Sequence, residues 1–121
     1  MSKTVLTVDD SRTMRDMLKF ALQEVGYRVV QASDGQHGLE ALAQEIPDVI
    51  VTDINMPRLD GFGFIDAVRK DQKLRAIPIL VLTTESDGEK KNRARQAGAT
   101  GWIVKPFDPA KLIAAIRRVS P

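Results

Sequence analysis

A chain of 121 residues is about one domain's worth, so a single core must serve all of it and an attached output module is not expected. Its 43% apolar and 28% charged residues exclude a disordered tail or a fibre, and a formal charge of +2 is too small an excess to argue for nucleic acid. There is no cysteine and His37 is the single histidine, which excludes disulfides, thiol nucleophiles and Cys- or His-cluster zinc sites. With no signal-peptide pattern and no apolar run of membrane-spanning length, a soluble cytoplasmic protein is expected.

The first predicted strand, Thr4 to Val8, is followed by a helix beginning near Ser11, whose inner stripe is Met14, Met17, Leu18, Ala21, Leu22 and Val25, with Gly26 closing it. A strand from Arg28 to Ala32 runs into Ser33-Asp34-Gly35, which reads as a plain turn. A second helix presents Leu39, Leu42, Ala43 and Ile46 and is stopped by Pro47. The third strand, Asp48 to Thr52, leads to a helix after Gly61 carrying Phe62, Ile65 and Val68, and the fourth spans Ile77 to Leu82. The next helix, Glu89 to Ala97, offers only Ala94 and Ala97 to a core, so light anchoring is expected. Gly101 to Val104 is the last strand, and after Pro109 comes a helix with Leu112, Ile113, Ile116 and Val119 inward. The first, third and fourth strands are nearly continuous in Val, Ile and Leu, as strands covered by helices on both faces must be. Five βα units forming one α/β domain with a parallel sheet use residues 1–121.

Ligands of an open parallel sheet bind beyond the carboxyl ends of its strands. Asp9 and Asp10 follow the first strand, Asp53 the third, Thr83 and Thr84 the fourth, and Lys105 the fifth. Singly, each has a plainer reading: Asp10 or Ser11 as a helix cap, Lys105 as a solvated turn lysine. Jointly they set three carboxylates, a hydroxyl and an ammonium at one edge. Carboxylates that close either take up protons or bind a cation, and a site with few carboxylates and room for water suits Mg²⁺ better than Ca²⁺. A lysine and a hydroxyl beside them suit the oxygens of a transferred phosphoryl group.

Val8-Asp9-Asp10-Ser11, Asp53 followed by Asn55-Met56-Pro57 and Asp60-Gly61, then Thr83, then Lys105-Pro106-Phe107 resemble, in order and spacing and over essentially the whole chain, the receiver domains of two-component response regulators. The resemblance implies the doubly wound, flavodoxin-like (βα)5 fold of the CheY type, with strand order 2-1-3-4-5 and helices on both faces. It implies Asp53 as phosphoacceptor for a histidine kinase, Mg²⁺ held by Asp10, Asp53 and the Asn55 carbonyl with Asp9 at the ion's edge or acting through water, Lys105 paired with the carboxylate at rest, and Thr83 turning toward the phosphoryl group. Trp102 stands at the aromatic switch position, and Asn55 and Glu85 where the family tunes hydrolysis of the acyl phosphate.

The output surface implied is the fourth helix, fifth strand and fifth helix, with Lys90, Lys91, Arg95, Ala99 and Trp102 meeting a protein partner and no nucleic acid or membrane. In plainer terms Trp102 is a core or cap residue and Lys90, Lys91, Arg93 and Arg95 a solvated basic face. The expected function is a monomeric stand-alone regulator of chemotaxis acting on a flagellar switch component, catalysing only its own phosphorylation and dephosphorylation. A phosphate sink or a relay intermediate are the alternatives. A haloacid-dehalogenase-type phosphatase shares the strand-end Asp, Mg²⁺, Thr and Lys, but it wants an acid at position 55, where this chain has an amide. A flavin module would need a phosphate-cradling loop where Asp9 and Asp10 stand.

Overall fold

Side chains along a strand point alternately to the two faces of a sheet, so a strand apolar at every position has to be covered on both sides. The computed structural model describes residues 2–84 and 88–121 and shows that arrangement. Its elements are β1 (Thr4–Val8), α1 (Arg12–Glu24), β2 (Arg28–Ala32), α2 (Gly35–Gln44), β3 (Val49–Asp53), α3 (Gly61–Lys70), β4 (Ile79–Thr83), α4 (Gly88–Ala97), β5 (Gly101–Val104) and α5 (Pro109–Val119). The five strands pair in parallel in the order β2-β1-β3-β4-β5, the topology that the resemblance implies.

Two apolar clusters sandwich the sheet. On one face Val5, Val49, Val51, Leu80 and Leu82 pack against Leu18 and Leu22 of α1 and Leu112, Ile113 and Ile116 of α5. On the other, Leu6, Val8, Ile50, Ile79 and Val81 meet Leu42 of α2, Phe64, Ile65 and Val68 of α3 and Ala94 of α4. No helix among the described residues is long and apolar enough to cross a membrane.

Several element edges and stripe residues differ from the sequence reading. β3 starts one residue later, because Asp48 uses its carboxylate to accept the Thr4 N–H and the ladder proper begins with Val5 opposite Val49. β4 starts at Ile79 because Pro78 has no N–H to give, and it extends to Thr83, which pairs with Val104. α1 buries only the i, i+4 pair Leu18 and Leu22; Met17 and Val25 are exposed, Val25 lying beyond the last turn as the C-cap. α2 ends at Gln44 with Glu45 already extended, so Ile46 lies outside the helix and is exposed, as is Ala43. Gly26 does close α1 in the left-handed region, at φ 92°.

Phe64 is wholly buried and Phe20, on α1, is 68% exposed. Phe64→Ala is expected to lower the unfolding free energy by about 3–5 kcal/mol, whereas Phe20→Ala should leave it within about 0.5 kcal/mol. Urea denaturation at unchanged slope reads both; a large loss in the Phe20 variant would contradict the packing described.

Candidate functional site

Parallel pairing brings the ends of four strands to one edge. Val8, the last residue of β1, lies opposite Thr52, so Asp9 and Asp53 are next in line on adjacent strands. Asp53 in turn pairs with Leu82, and Thr83 with Val104, which puts Thr83 and Lys105 just beyond. The backbone N–H of Asp9 donates to the Ala32 carbonyl (3.1 Å), extending the β1–β2 ladder by one bond and fixing where its side chain emerges. Ser11, not Asp10, caps α1, accepting the Met14 N–H at 3.2 Å. Asp10 is exposed, and among the described residues no hydrogen bond or ion pair holds its carboxylate.

Asp9 is fully buried; one oxygen accepts the Ser11 N–H at 2.9 Å and the other lies 3.3 Å from the Lys105 ammonium. Asp53 accepts the Ile54 N–H at 2.8 Å through one oxygen and places the other 3.2 Å from the same ammonium. Glycine is required behind it: a Cβ on Gly61 would stand 2.3 Å from the Asp53 carbonyl oxygen. Removal from water pushes the Asp53 carboxyl above the ordinary carboxylate range; Lys105 opposes the rise and the neighbouring Asp9 carboxylate adds to it.

Asp9, Asp10 and Asp53 offer oxygens that all lie within 4.8 Å of one another. Three carboxylates against one ammonium leave a charge of −2, and the unpaired Asp10 stands at the open side. An all-oxygen donor set of this size and charge fits a hard divalent cation that keeps part of its water shell, so the residues present fit Mg²⁺.

The other sequence-predicted residues fall into two groups. Thr83 is buried at the end of β4, and its carbonyl accepts the Lys105 N–H at 2.7 Å; Asn55 is exposed in the loop after β3. Glu85 lies outside the described residues. Trp102 is half-buried opposite Val81, on the side of β5 where α4 lies, with the Lys91 ammonium and the Arg95 guanidinium each 5.1 Å from its ring centre. Lys90 and Ala99 are half-buried. Sequence reasoning missed Asp34 and Arg58. Asp34 is no plain turn residue: it caps α2 through the His37 N–H (2.8 Å) and accepts a two-pronged contact from Arg58. An Asp-Gly directly before a helical pattern was the available signal for the cap.

The raised Asp53 carboxyl has a stability consequence. The folded chain binds that proton more tightly than the unfolded one, so stability falls as pH rises from the ordinary aspartate range through the folded value, and ionised Asp53 is destabilising at neutral pH. Asp53→Asn is therefore expected to raise the metal-free thermal midpoint by a few degrees at neutral pH, with the gain vanishing once the pH drops below about 3.9. Scanning calorimetry across that range checks it, and a pH-independent difference would refute the electrostatic origin.

The model of the response regulator receiver domain matches residues 5–117. The probable transcriptional regulator ycf27 of Guillardia theta is 44% identical over 115 residues, 95% of this chain, and the chain spans 44% of that regulator's length. The chemotaxis response regulator CheY4 of Vibrio cholerae superposes with a TM-score of 0.93 at 44% identity, covering 98% of this chain and 99% of that one. The receiver domain of a sensor histidine kinase from Pseudomonas aeruginosa, whose structure has a magnesium ion coordinated in the active-site cleft, gives a TM-score of 0.91 at 27% identity over 98% of this chain and 97% of that domain. With the strand order and the acidic edge already in place, the chain belongs to the response regulator receiver domain family, CheY-like in fold.

Proposed function

We propose that the chain is a cytoplasmic, monomeric chemotaxis-type regulator that accepts a phosphoryl group on Asp53 from a histidine kinase and signals by protein contact. The observation that carries the chemistry is the Lys105 ammonium 3.2 Å from an Asp53 oxygen inside the three-carboxylate cluster. An Asp53 oxygen attacks phosphorus, the P–N bond of the donor phosphohistidine breaks, and the imidazole nitrogen leaves and takes a proton. Asp10, Asp53 and the Asn55 carbonyl would hold Mg²⁺, with Asp9 acting at the ion's edge or through water, and the ion would supply charge neutralisation for the incoming phosphoryl oxygens. Lys105 remains bound to one of those oxygens after transfer, and Thr83 donates its hydroxyl to another. Hydrolysis of the acyl phosphate, tuned by Asn55 and Glu85, returns the resting carboxylate; turnover on other substrates is not part of this reading.

Two surfaces support the partner assignments. A donor histidine must reach the edge where Lys105 and Asp53 meet, and beside that edge Met17, Phe20, Ala21, Phe107 and Pro109 line one apolar hollow. This suits the helical phosphodonor domain of a kinase. On α4 and β5 the basic side chains Lys91 and Arg95 lie on Trp102 and Arg93 lies over Phe62, 4.1 Å from its centre, so these cations are engaged with rings rather than spread for a phosphate backbone. Trp102 carries the switch: its movement after Thr83 turns inward alters the α4–β5–α5 face. The 44% identity to CheY4 supports the chemotaxis reading.

Incubation with acetyl phosphate and Mg²⁺ is expected to add one phosphoryl group, labile to both acid and base as an acyl phosphate is, that Asp53→Ala abolishes, as read by intact mass; equal labelling of the variant would refute Asp53 as acceptor. Recovery of a flagellar switch component by the phosphorylated protein alone would establish the motor output, and recovery of a kinase only would indicate a phosphate sink. Phe20→Ala should slow transfer from the cognate kinase by about tenfold, the effect of losing one apolar anchor, while leaving acetyl phosphate labelling unchanged. Equal slowing with both donors would remove the docking role.

A further inference from the structure

The loop of residues 54–60 runs directly from Asp53 to α3 and carries the Asn55 carbonyl assigned above to Mg²⁺. Its near end is fixed by the buried Ile54, whose carbonyl accepts the Gly61 N–H at 2.7 Å. Its far end is tied to the start of α2. The Arg58 guanidinium meets Asp34 with two contacts, Nε to one oxygen at 2.8 Å and Nη2 to the other at 3.1 Å. The neighbouring Gly35 N–H donates to the Leu59 carbonyl at 3.0 Å, an approach so close that a Cβ on Gly35 would lie 2.4 Å from that oxygen.

Arg58 itself has φ 65°, and among the described residues it is the single non-glycine in the left-handed region. Glycine or asparagine would adopt that backbone with less strain, so a long charged side chain there needs a compensating contact. The fork to Asp34 is that contact. Asp34 is held in turn: its side chain is 7% exposed and it caps α2, so it cannot follow a moving loop. A bidentate guanidinium on an immobile carboxylate fixes both distance and orientation, which a lysine could not.

We propose that Asp34 and Arg58 are positioning residues for the metal site: the pair fixes the loop so that the Asn55 carbonyl faces Asp10 and Asp53, and so sets the affinity for Mg²⁺. The proposal rests on the reading of the Asp53 site given above.

Calorimetric titration of the full chain with Mg²⁺ alone tests it, comparing wild type with Arg58→Ala, Arg58→Lys, Arg58→Gly and Asp10→Asn. Arg58→Ala should bind Mg²⁺ about tenfold more weakly, the lower end of what outer-shell substitutions cost. Arg58→Lys should fall between. Arg58→Gly relieves the backbone strain, so its thermal midpoint should hold while its Mg²⁺ affinity still drops, separating positioning from folding. Acetyl phosphate labelling of the Arg58 variants should be slow at limiting Mg²⁺ and recover at saturation. Wild-type affinity in Arg58→Ala and Arg58→Gly, with binding lost in Asp10→Asn, would overturn this proposal and leave the site intact. Undiminished binding in Asp10→Asn would overturn the site assignment, and the positioning role with it.

Discussion

One ammonium shared by two carboxylates is the constraint around which the functional edge is built. Asp9 is out of water altogether and Asp53 nearly so, and a buried carboxylate is tolerable only with donors around it. Each has one backbone N–H, from Ser11 and Ile54, and each then depends on Lys105. In the sheet order β2-β1-β3-β4-β5 the Lys105 strand is separated from β3 by β4. Only a long side chain spans that gap, and it does so past the end of β4, where Thr83 stands. Thr83 is thereby set beside Asp53 and Lys105 by the topology of the sheet.

The arrangement leaves the third carboxylate outside the pairing. Asp10 is at the open side, next to two acids already sharing their countercharge, so the edge retains an unbalanced negative charge that a divalent cation answers better than a second lysine. A further buried lysine would neutralise the site permanently, whereas the charge supplied by a dissociable ion can be removed and restored.

Much of the fold was legible because apolar runs in β1, β3 and β4 can be buried only between two helical layers, which gives a covered parallel sheet, while the strand order came from the family resemblance. Helix faces were read less well. Met17 and Val25 follow the helical period with Leu18 and Leu22, yet α1 packs through a narrower stripe; Ile46 was assigned to a helix that ends before it. The residues at the strand ends were legible for a related reason, since position after a strand determines which edge a side chain reaches. Asp34 and Arg58 were not, because their meeting depends on a left-handed φ and on α2 folding back beside a loop 24 residues further along the chain. No local pattern encodes either.

α4 and α5 are attached to the sheet by different physics. α5 is fastened by Leu112, Ile113 and Ile116, all buried, while α4 has one buried residue, Ala94, and lays cations on the rings of Trp102 and Phe62. Each such stack is worth only about 0.5–1 kcal/mol at an exposed site. α4 therefore has less apolar burial to hold it than α5, and local opening is expected to cost less there than at α5. Because two of those cations lie on the indole of Trp102, the seating of α4 is tied to the position of a single ring on the neighbouring strand.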